Sequence, residues 1–276
     1  MIEYRTNNYV KDKVVIVTGA SSGFGAATAI KAAAMGAKVV LAARREDRLK
    51  ANVETIRAAG GDAEYIVTDV REQAQCKAMA QFAIDKYGRI DVLVNDAGTM
   101  PQAFFYEHSF AMPAWEECIA TAINGTLYCT CAVYDQMLKQ GCGHVVNVSS
   151  ILGNLAVCGN GVYNVSKVGV RYLAESLRIE SRGLIKTTVV RPTSVSTTEI
   201  GTTTVNLNAS MSGLYGKLFQ SMSAMANPNK NNRNSVHLWE PTAEDLADNI
   251  VYAINQPWGV DISDITVRAT GESMFC

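Results

Sequence analysis

Lys13-Val-Val-Ile-Val-Thr18, followed directly by Gly19-Ala-Ser-Ser-Gly-Phe-Gly25, is the stretch that most clearly indicates the fold class. Its first half is a continuous, mostly β-branched apolar run, which is typical of a strand buried on both faces. Its second half is a glycine-rich turn, and an alanine-rich helical stretch follows from Ala26 to Ala34. Such a turn lets the backbone approach a pyrophosphate, which the helix N-terminus attracts. The sequence therefore predicts a dinucleotide-binding βα unit, with a tight turn that holds no ligand as the alternative.

The same alternation of strands and helices continues along the chain. The sequence predicts strands near 13–18, 37–42, 63–67, 90–94, 143–148, 186–191 and 264–268, and helices near 23–35, 45–58, 71–87, 114–139, 162–183 and 242–256. Alternation of this kind implies a parallel sheet with right-handed crossovers. No Pro/Gly/Ser-rich linker interrupts it. We therefore predict an α/β fold, a Rossmann-like doubly wound parallel sheet of about seven strands with helices on both faces, as a single domain over residues 1–276.

The end of the second predicted strand bears on the choice of cofactor. The strand runs from Ala37 to Ala42 and ends at Ala43-Arg44-Arg45. In NAD-preferring folds an acidic residue near this point binds the ribose 2′-hydroxyl. A guanidinium can instead hold a 2′-phosphate through two hydrogen bonds. The sequence favours NADP(H), with Arg44 as the first candidate and Arg45 as the second; the alternative is that both are solvated residues opening a helix.

Three further residues supply the chemistry for reducing a ketone. Tyr163 and Lys167 are four residues apart, and Ser150 lies thirteen residues before the tyrosine. On a helix, residues at this spacing share a face, so the ammonium is expected to lower the tyrosine pKa from its ordinary value of about 10. Such a tyrosine exchanges a proton with a carbonyl or alcohol oxygen near neutral pH. A half-buried tyrosine beside a solvated lysine is the alternative, and the glycine turn argues against it.

From about residue 11 to residue 200, the chain resembles the short-chain dehydrogenase/reductase family, in its compact single-domain, NADP(H)-preferring branch. Thr18 to Gly25 matches the cofactor loop of the family, and Asn95-Asp96-Ala97-Gly98 matches its Asn-Asn-Ala-Gly motif with Asp96 in place of the second asparagine. Residues 191–197 resemble its Pro-Gly-x-Val-x-Thr segment, with Thr193 in place of the glycine.

The resemblance implies a role for each matching residue. It places Asp69 and Val70 at the adenine, and it gives Asn124 the water of a proton relay. It favours Ser150 over Ser149 through the offset to Tyr163. The implied catalytic set is Asn124, Ser150, Tyr163 and Lys167. The implied cofactor-binding set is Gly19, Ser21, Ser22, Gly23, Phe24, Gly25, Arg44, Arg45, Asp69, Val70, Asn95, Ala97, Gly98, Tyr163, Lys167, Pro192, Val195 and Thr197.

These residues predict an NADP(H)-dependent alcohol dehydrogenase or carbonyl reductase acting on a small molecule. Residues 200–240 interrupt the βα rhythm, and apolar residues within 211–225 recur at helical spacing. We interpret 200–240 as a substrate lid, with a packing or interface helix as the alternative. A methionine-rich lid suits a bulky apolar substrate such as a hydroxysteroid or bile acid. Phe104–Tyr106 and Leu155–Val162 are candidates for other pocket walls.

Two alternative functions remain. A short hydroxy acid or aldehyde is the second substrate hypothesis, and a basic residue facing the pocket would favour it. The strand Asp264-Ile-Thr-Val-Arg268 also resembles branches of the family that act on small hydroxy acids. A catalytically silent NADPH-binding sensor is a different class of function. The complete set Asn124, Ser150, Tyr163 and Lys167 argues against a sensor, because a silent relative needs none of the four.

Composition and targeting signals exclude several other classes. A net charge of −1 gives no reason to expect a nucleic-acid or anionic membrane partner. No apolar run approaches the length of a membrane span, and the N-terminus lacks an apolar signal core. The seven scattered cysteines and three histidines lack zinc spacing. We expect a cytoplasmic protein without a metal; the resemblance implies a homodimer or homotetramer formed through the helices near 114–139 and 162–183.

Overall fold

The computed structural model describes residues 7–195, 198–209 and 226–271. The strands are β1 (Val14–Thr18), β2 (Lys38–Ala43), β3 (Asp62–Val67), β4 (Val92–Asn95), β5 (Gly143–Val148), β6 (Ile185–Pro192) and β7 (Asp264–Val267). The helices are α1 (Gly23–Ala34), α2 (Glu46–Ala58), α3 (Gln73–Tyr87), α4 (His108–Ile119), α5 (Gly125–Gln140), α6 (Gly161–Glu180) and α7 (Ala243–Ile254). All seven predicted strands are present within two residues of their expected bounds.

The strands form one parallel sheet in the order β3-β2-β1-β4-β5-β6-β7. The chain first builds outward through β2 and β3 and then crosses back to place β4 on the other side of β1. The strand order therefore reverses between β1 and β4. In a sheet of this kind, ligands bind at the carboxyl ends of the strands beside the reversal. The predicted Rossmann-like fold is confirmed.

Helices cover both faces of the sheet. On one face, α1, α2 and α7 pack against alternate strand residues such as Val15, Val17 and Val94. On the other, α3 and α5 pack against the intervening residues, such as Ile16 and Leu93. Because both faces of each central strand are buried, the continuous apolar runs in the sequence become central strands. In the described part of the chain, no helix is both long and apolar enough to cross a bilayer.

One predicted helix begins earlier than expected and is interrupted by a π-helical turn. The helix expected over 114–139 begins six residues earlier, at His108, and contains Pro113. A π-helical turn at Ala120–Asn124 then separates α4 from α5. Proline removes one helical hydrogen bond but does not prevent the helix, because the surrounding packing compensates. The π turn shifts the register of the helix, and such turns are common at functional sites. The amphipathic helix expected within 211–225 lies outside the described residues.

The Thr18 side chain and the Gly19 backbone join the carboxyl ends of β1 and β4. Thr18 Oγ1 accepts hydrogen bonds from the backbone N–H groups of Asp96 and Ala97 at 3.1 and 3.3 Å. Gly19 has a φ of +68°, and a Cβ atom there would lie 2.9 Å from the Ala97 nitrogen. Only glycine combines this backbone conformation with such a close approach. The glycine turn is therefore held against the loop that follows β4.

Gly19→Ala is expected to destabilise the protein more than Gly60→Ala. Gly60 also has a positive φ, of +85°, but no atom lies within 4 Å of its Cβ position. Both variants carry the backbone strain of about 1–2 kcal/mol, and only Gly19→Ala adds an overpacking cost of about 1–3 kcal/mol. Chemical denaturation of the two variants measures the difference. Equal losses of unfolding free energy would show that the β1–β4 contact relaxes without cost.

Candidate active site

A cleft of about 680 Å³ lies along the carboxyl edge of the sheet. The segments that follow β1 to β6 all contribute to its walls. Residues far apart in sequence are thereby brought together, as the parallel topology requires. The site residues expected from sequence that line the cleft are Gly19, Ser21, Ser22, Gly23, Phe24, Arg44, Arg45, Asp69, Val70, Ala97, Gly98, Ser150, Tyr163, Lys167, Pro192 and Val195.

The glycine turn makes a cradle at the N-terminus of α1. Gly23 has a φ of +56°, and a Cβ atom on Gly25 would lie 2.7 Å from the Gly19 carbonyl oxygen. Ser22 is the N-cap of α1, and its side chain makes no capping hydrogen bond to the helix. The first N–H groups of the helix therefore make no hydrogen bond to the Ser22 side chain, and Gly23 and Phe24 of this turn line the cleft. This arrangement fits the phosphates of a dinucleotide, which bind to such N–H groups and to the positive end of the helix dipole.

The two arginines after β2 both line the cleft but point to different partners. Arg45 donates from Nε and Nη2 to Ser21 Oγ at 3.1 and 2.8 Å, and from Nη2 to Ser22 Oγ at 2.6 Å. Arg44 instead forms an ion pair of 2.9 Å with Glu117. Arg45 is thus in contact with the glycine turn, while Arg44 lies on the side of α4. A phosphate near Ser21 would meet the Arg45 guanidinium.

The segment after β3 lines the cleft beside the arginines. Arg71 donates from Nε to the two carboxylate oxygens of Asp69 at 2.9 and 3.0 Å, and this pairing lowers the pKa of Asp69. Val70 lies against Gly125, where a Cβ atom would approach Val70 Cγ2 to 2.7 Å. Asp69 is therefore an ionised residue whose charge is neutralised locally. Val70 offers an apolar surface to the cleft.

Tyr163 and Ser150 meet inside the cleft. Tyr163 is buried on α6, and the Ser150 hydroxyl, which accepts a hydrogen bond from the Leu152 backbone N–H at 3.1 Å, lies close enough to the phenol to affect its pKa. The neighbouring Ser149 has a different role, since its Oγ donates to the backbone carbonyl of Lys167 at 2.9 Å. Ser149 therefore fastens α6 to the end of β5. Ser150 keeps its hydroxyl beside the phenol, as the offset from Tyr163 indicated.

Lys167 does not lower the tyrosine pKa in this arrangement. Lys167 Nζ donates to the Val148 carbonyl at 2.9 Å and lies 5.5 Å from the centroid of the Tyr163 ring. Burial raises the pKa of the Tyr163 phenol well above its ordinary value, and only the nearby Ser150 hydroxyl opposes the shift. The expectation from the helical spacing was wrong because desolvation of a fully enclosed phenol outweighs a charge that lies near its ring. Tyr163 is therefore held as a neutral proton donor.

Asp96 shares this buried environment, although sequence analysis treated it only as a departure from a motif. The Gly25 backbone N–H donates to its carboxylate, and Oδ2 lies 2.9 Å from the Cβ position on Gly25. Burial raises the pKa of Asp96 to about 7, against the effects of the Lys167 charge and the Gly25 hydrogen bond. Burial likewise lowers the pKa of Lys167, and the charge of Asp96 opposes that shift. The negative charge of Asp96 and the positive charge of Lys167 therefore stabilise each other against the effect of burial.

The remaining expected residues surround this centre less directly. Asn124 ends the π turn and is half-buried, and Thr121 of the same turn lines the cleft. Asn95 lies beneath the cleft, where its Nδ2 donates to Asn147 Oδ1 at 2.9 Å between β4 and β5. Thr197 lies outside the described residues. Asn95 therefore supports the cleft floor rather than its wall.

One wall of the cleft, which includes Gln102 and Asn160 and is called the front wall below, contains polar residues that no sequence motif identified. Gln102 Nε2 donates to Asn160 Oδ1 at 3.1 Å, and Thr204 Oγ1 donates to Gln102 Oε1 at 3.0 Å. These bonds join three separate loops, so no local sequence pattern signals them. Of the two predicted walls, Leu155–Val162 contributes Val157 and Asn160 to the lining. Phe104–Tyr106 does not line the cleft: Phe105 is 74% exposed and packs outside it against Trp115 at 5.8 Å.

Comparison with known proteins agrees with this geometry. The sequence profile of the family described as short chain dehydrogenase matches residues 13–207. An oxidoreductase of Listeria innocua is 35% identical over 95% of this chain and 98% of its own length.

Two solved structures are also similar. A metagenomic short-chain oxidoreductase in complex with NADP is 28% identical, with a TM-score of 0.73 over 94% of this chain and 98% of that one. The closed form of a serine dehydrogenase complexed with NADP+ is 26% identical, with a TM-score of 0.77 over 94% of this chain and 96% of that one. The chain belongs to the short-chain dehydrogenase family.

Proposed function

We propose that this chain is an NADP(H)-dependent oxidoreductase that interconverts a secondary alcohol and a ketone. The observation that carries the proposal is the buried contact of Ser150 with Tyr163, beside Lys167 and at the edge of a cleft that begins at the glycine turn. A cleft of this composition provides a proton donor and an oxyanion partner next to a place for a dinucleotide. A sensor without catalysis would need only the dinucleotide site.

NADP(H) is the cofactor that the site suits. The cradle at α1 fits the pyrophosphate, and Ser21, Arg44 and Arg45 would hold the 2′-phosphate. Both solved relatives described above carry NADP or NADP+. When bound, the reduced nicotinamide supplies the hydride. Pro192 and Val195 line the cleft beside the catalytic residues, where the resemblance expects the nicotinamide amide.

Tyr163 and Ser150 would act on the substrate oxygen in different roles. Tyr163 gives its proton to the carbonyl oxygen during reduction, and Ser150 donates a hydrogen bond as negative charge develops on that oxygen. Lys167, next to Tyr163, would hold the nicotinamide ribose, which is the role that the resemblance gives it. Asn124 would connect this group to solvent through a water. Tyr163 would thus regain its proton from solvent after each turnover.

Bulky apolar ketones, such as a hydroxysteroid or bile acid, are the first substrate hypothesis. Met100, Ile151, Leu152, Val157 and Ile200 supply an apolar lining near Tyr163. The proposed lid over 200–240 would complete it, although residues 210–225 lie outside the described structure. Apart from Arg44, Arg45 and Lys167, no basic side chain lines the described part of the cleft. A short substrate with a carboxylate group would need such a basic side chain as its ion-pair partner.

A short hydroxy acid or aldehyde is the second substrate hypothesis. The similarity to a serine dehydrogenase favours it, as do the polar Gln102 and Asn160 in the front wall. Spectroscopic turnover of NADPH against a panel of steroid and bile-acid ketones and a panel of short keto acids and aldehydes separates the two. Turnover on the second panel alone would reject the bulky substrate.

We also propose assembly into a homodimer or homotetramer through α4 to α6. Val165, Val168, Tyr172 and Ile179 lie exposed along α6, as do Ile119 and Leu127 on α4 and α5. Exposed apolar side chains of this density mark an interaction surface. The cytoplasmic location and the single-domain organisation of residues 1–276 remain predictions from sequence.

Tyr163→Phe should abolish turnover of NADPH with any ketone that the wild type reduces. The variant lacks the proton donor but keeps the ring, so NADPH binding should remain close to that of the wild type. Loss of general-acid catalysis typically costs about 10²–10⁴-fold in rate. Steady-state kinetics and a fluorescence titration of NADPH measure the two properties. Turnover like that of the wild type would refute the assigned acid.

Alcohol oxidation should rise with pH, while ketone reduction should not need alkaline conditions. Because burial raises the pKa of Tyr163, the phenol stays protonated at neutral pH and its base form appears only at higher pH. Reduction uses the protonated form and oxidation uses the base form. The rates of both directions for one alcohol–ketone pair between about pH 6 and pH 10 test this. Oxidation that is maximal at the acidic end would contradict it.

Replacing Arg44 and Arg45 together by alanine should reduce the preference for NADPH over NADH. Each charge-assisted contact to the 2′-phosphate is worth roughly 1.5–3 kcal/mol, so the affinity ratio should fall by at least about tenfold. Dissociation constants for both cofactors provide the measurement. The single variants then rank the two residues. An unchanged ratio would refute the assignment of the 2′-phosphate to this end of the cleft.

A further inference from the structure

An acidic residue reaches the end of β2 from a distant part of the chain. Glu199, in the segment after β6, lies on the rim of the cleft. Arg45 Nη1 donates to Glu199 Oε2 at 2.7 Å, and Arg48 Nη1 donates to Oε1 at 2.6 Å. One carboxylate therefore holds two guanidinium groups, one at each oxygen. Glu46 and Asp47 follow Arg45 in the sequence as the first residues of α2, but Glu199 reaches Arg45 from a distant segment, so only the fold reveals this contact.

Arg45 contacts Glu199 and the glycine turn at the same time. Its Nη1 faces Glu199, while its Nε and Nη2 donate to Ser21, and Nη2 also to Ser22. A Cβ atom on Gly23 would lie 3.8 Å from Thr198 Cγ2, so the segment before Glu199 also approaches the turn. A 2′-phosphate bound at Ser21 and Arg45 would therefore stand next to the Glu199 carboxylate. Two anions would share one guanidinium.

The carboxylate remains charged at every pH at which the protein would work. The hydrogen bonds from Arg45 and Arg48 lower the pKa of Glu199 to about 2. The three side chains are also 43–45% exposed, so solvent screens their ion pairs and makes them easy to exchange. A phosphate dianion carries more negative charge than a carboxylate and accepts the same kind of paired hydrogen bonds from a guanidinium. A bound 2′-phosphate can thus replace the Glu199 carboxylate at Arg45 without unfolding of the cleft rim.

We propose that Glu199 sets the cofactor selectivity of this chain, because its carboxylate competes with the 2′-phosphate for Arg45. The residue narrows the preference for NADPH over NADH that Arg44 and Arg45 create. In NAD-preferring proteins of this fold, an acidic residue at the end of the second strand provides a negative charge. Here Glu199 brings a carboxylate to the same place from a distant segment of the chain. The proposal rests on the proposed function only in assigning the cleft to NADP(H).

Glu199→Gln tests this through the ratio of two affinities. Dissociation constants for NADPH and for NADH are measured by fluorescence titration at the same ionic strength. Any general loosening of the rim changes both constants alike and cancels in their ratio. Removing the competing charge should raise the preference for NADPH by about threefold to tenfold. The increase should shrink at high salt, because the interaction is exposed to solvent.

Glu175→Gln is the matched control. Glu175 forms an ion pair of 2.6 Å with Arg178 on α6, outside the cleft lining, so this variant removes the same charge from the same kind of pair. Its NADPH:NADH ratio should equal that of the wild type. Thermal unfolding of both variants verifies that each remains folded.

Two results would overturn the proposal. An unchanged ratio in Glu199→Gln would show that the carboxylate and the 2′-phosphate do not compete. A lower ratio would show that Glu199 instead holds Arg45 in place for the phosphate. Neither result depends on a substrate. Failure of the wild type to bind either cofactor would reject the proposed function, and is thus distinguishable from both.

Discussion

The close approach of the glycine turn to the loop after β4 is the constraint on which the site depends. Thr18 Oγ1 bonds to both backbone N–H groups of Asp96 and Ala97, and Gly19 leaves no room for a side chain between them. This contact brings together the two loops on either side of the point where the strand order reverses. It fixes the cradle at α1 and, through Asp96 and Gly98, the surroundings of Lys167. A side chain at Gly19 would separate the phosphate end of the cleft from its catalytic end.

Burial is the second determinant of the chemistry. Tyr163, Lys167 and Asp96 titrate in one enclosed space, where desolvation opposes every charged form. Asp96 and Lys167 support each other's charge, and the phenol remains neutral. The site is therefore set up to give away a proton. The lysine–tyrosine spacing alone suggested an acidic phenol, and it omitted the cost of enclosing the group.

The sequence predicted the elements that local patterns encode. Apolar runs and the alternation of strand and helix patterns identified the seven strands, and the motifs that follow the strands identified many of the cleft-lining residues from Gly19 to Val195. Ser150 was distinguished from Ser149 by its offset from Tyr163, and the bond from Ser149 to the Lys167 carbonyl explains the difference physically. What local patterns could not predict were contacts between distant segments: Glu199 with Arg45, Gln102 with Asn160 and Thr204, and Asp96 with the N-terminus of α1. Phe104–Tyr106 was misplaced because an aromatic run is equally compatible with a pocket wall and with an exposed turn.

Hydride transfer at this cleft can be followed with NADPH that carries two deuterium atoms at C4 of the nicotinamide. The enzyme is incubated with the ketone that it turns over fastest, and the alcohol product is examined by mass spectrometry and NMR. The alcohol should carry one deuterium atom at the carbinol carbon, and Tyr163→Phe should not form that product. An alcohol without deuterium, or NADPH that binds the cleft and reduces no carbonyl compound of either panel, would contradict the proposed hydride transfer.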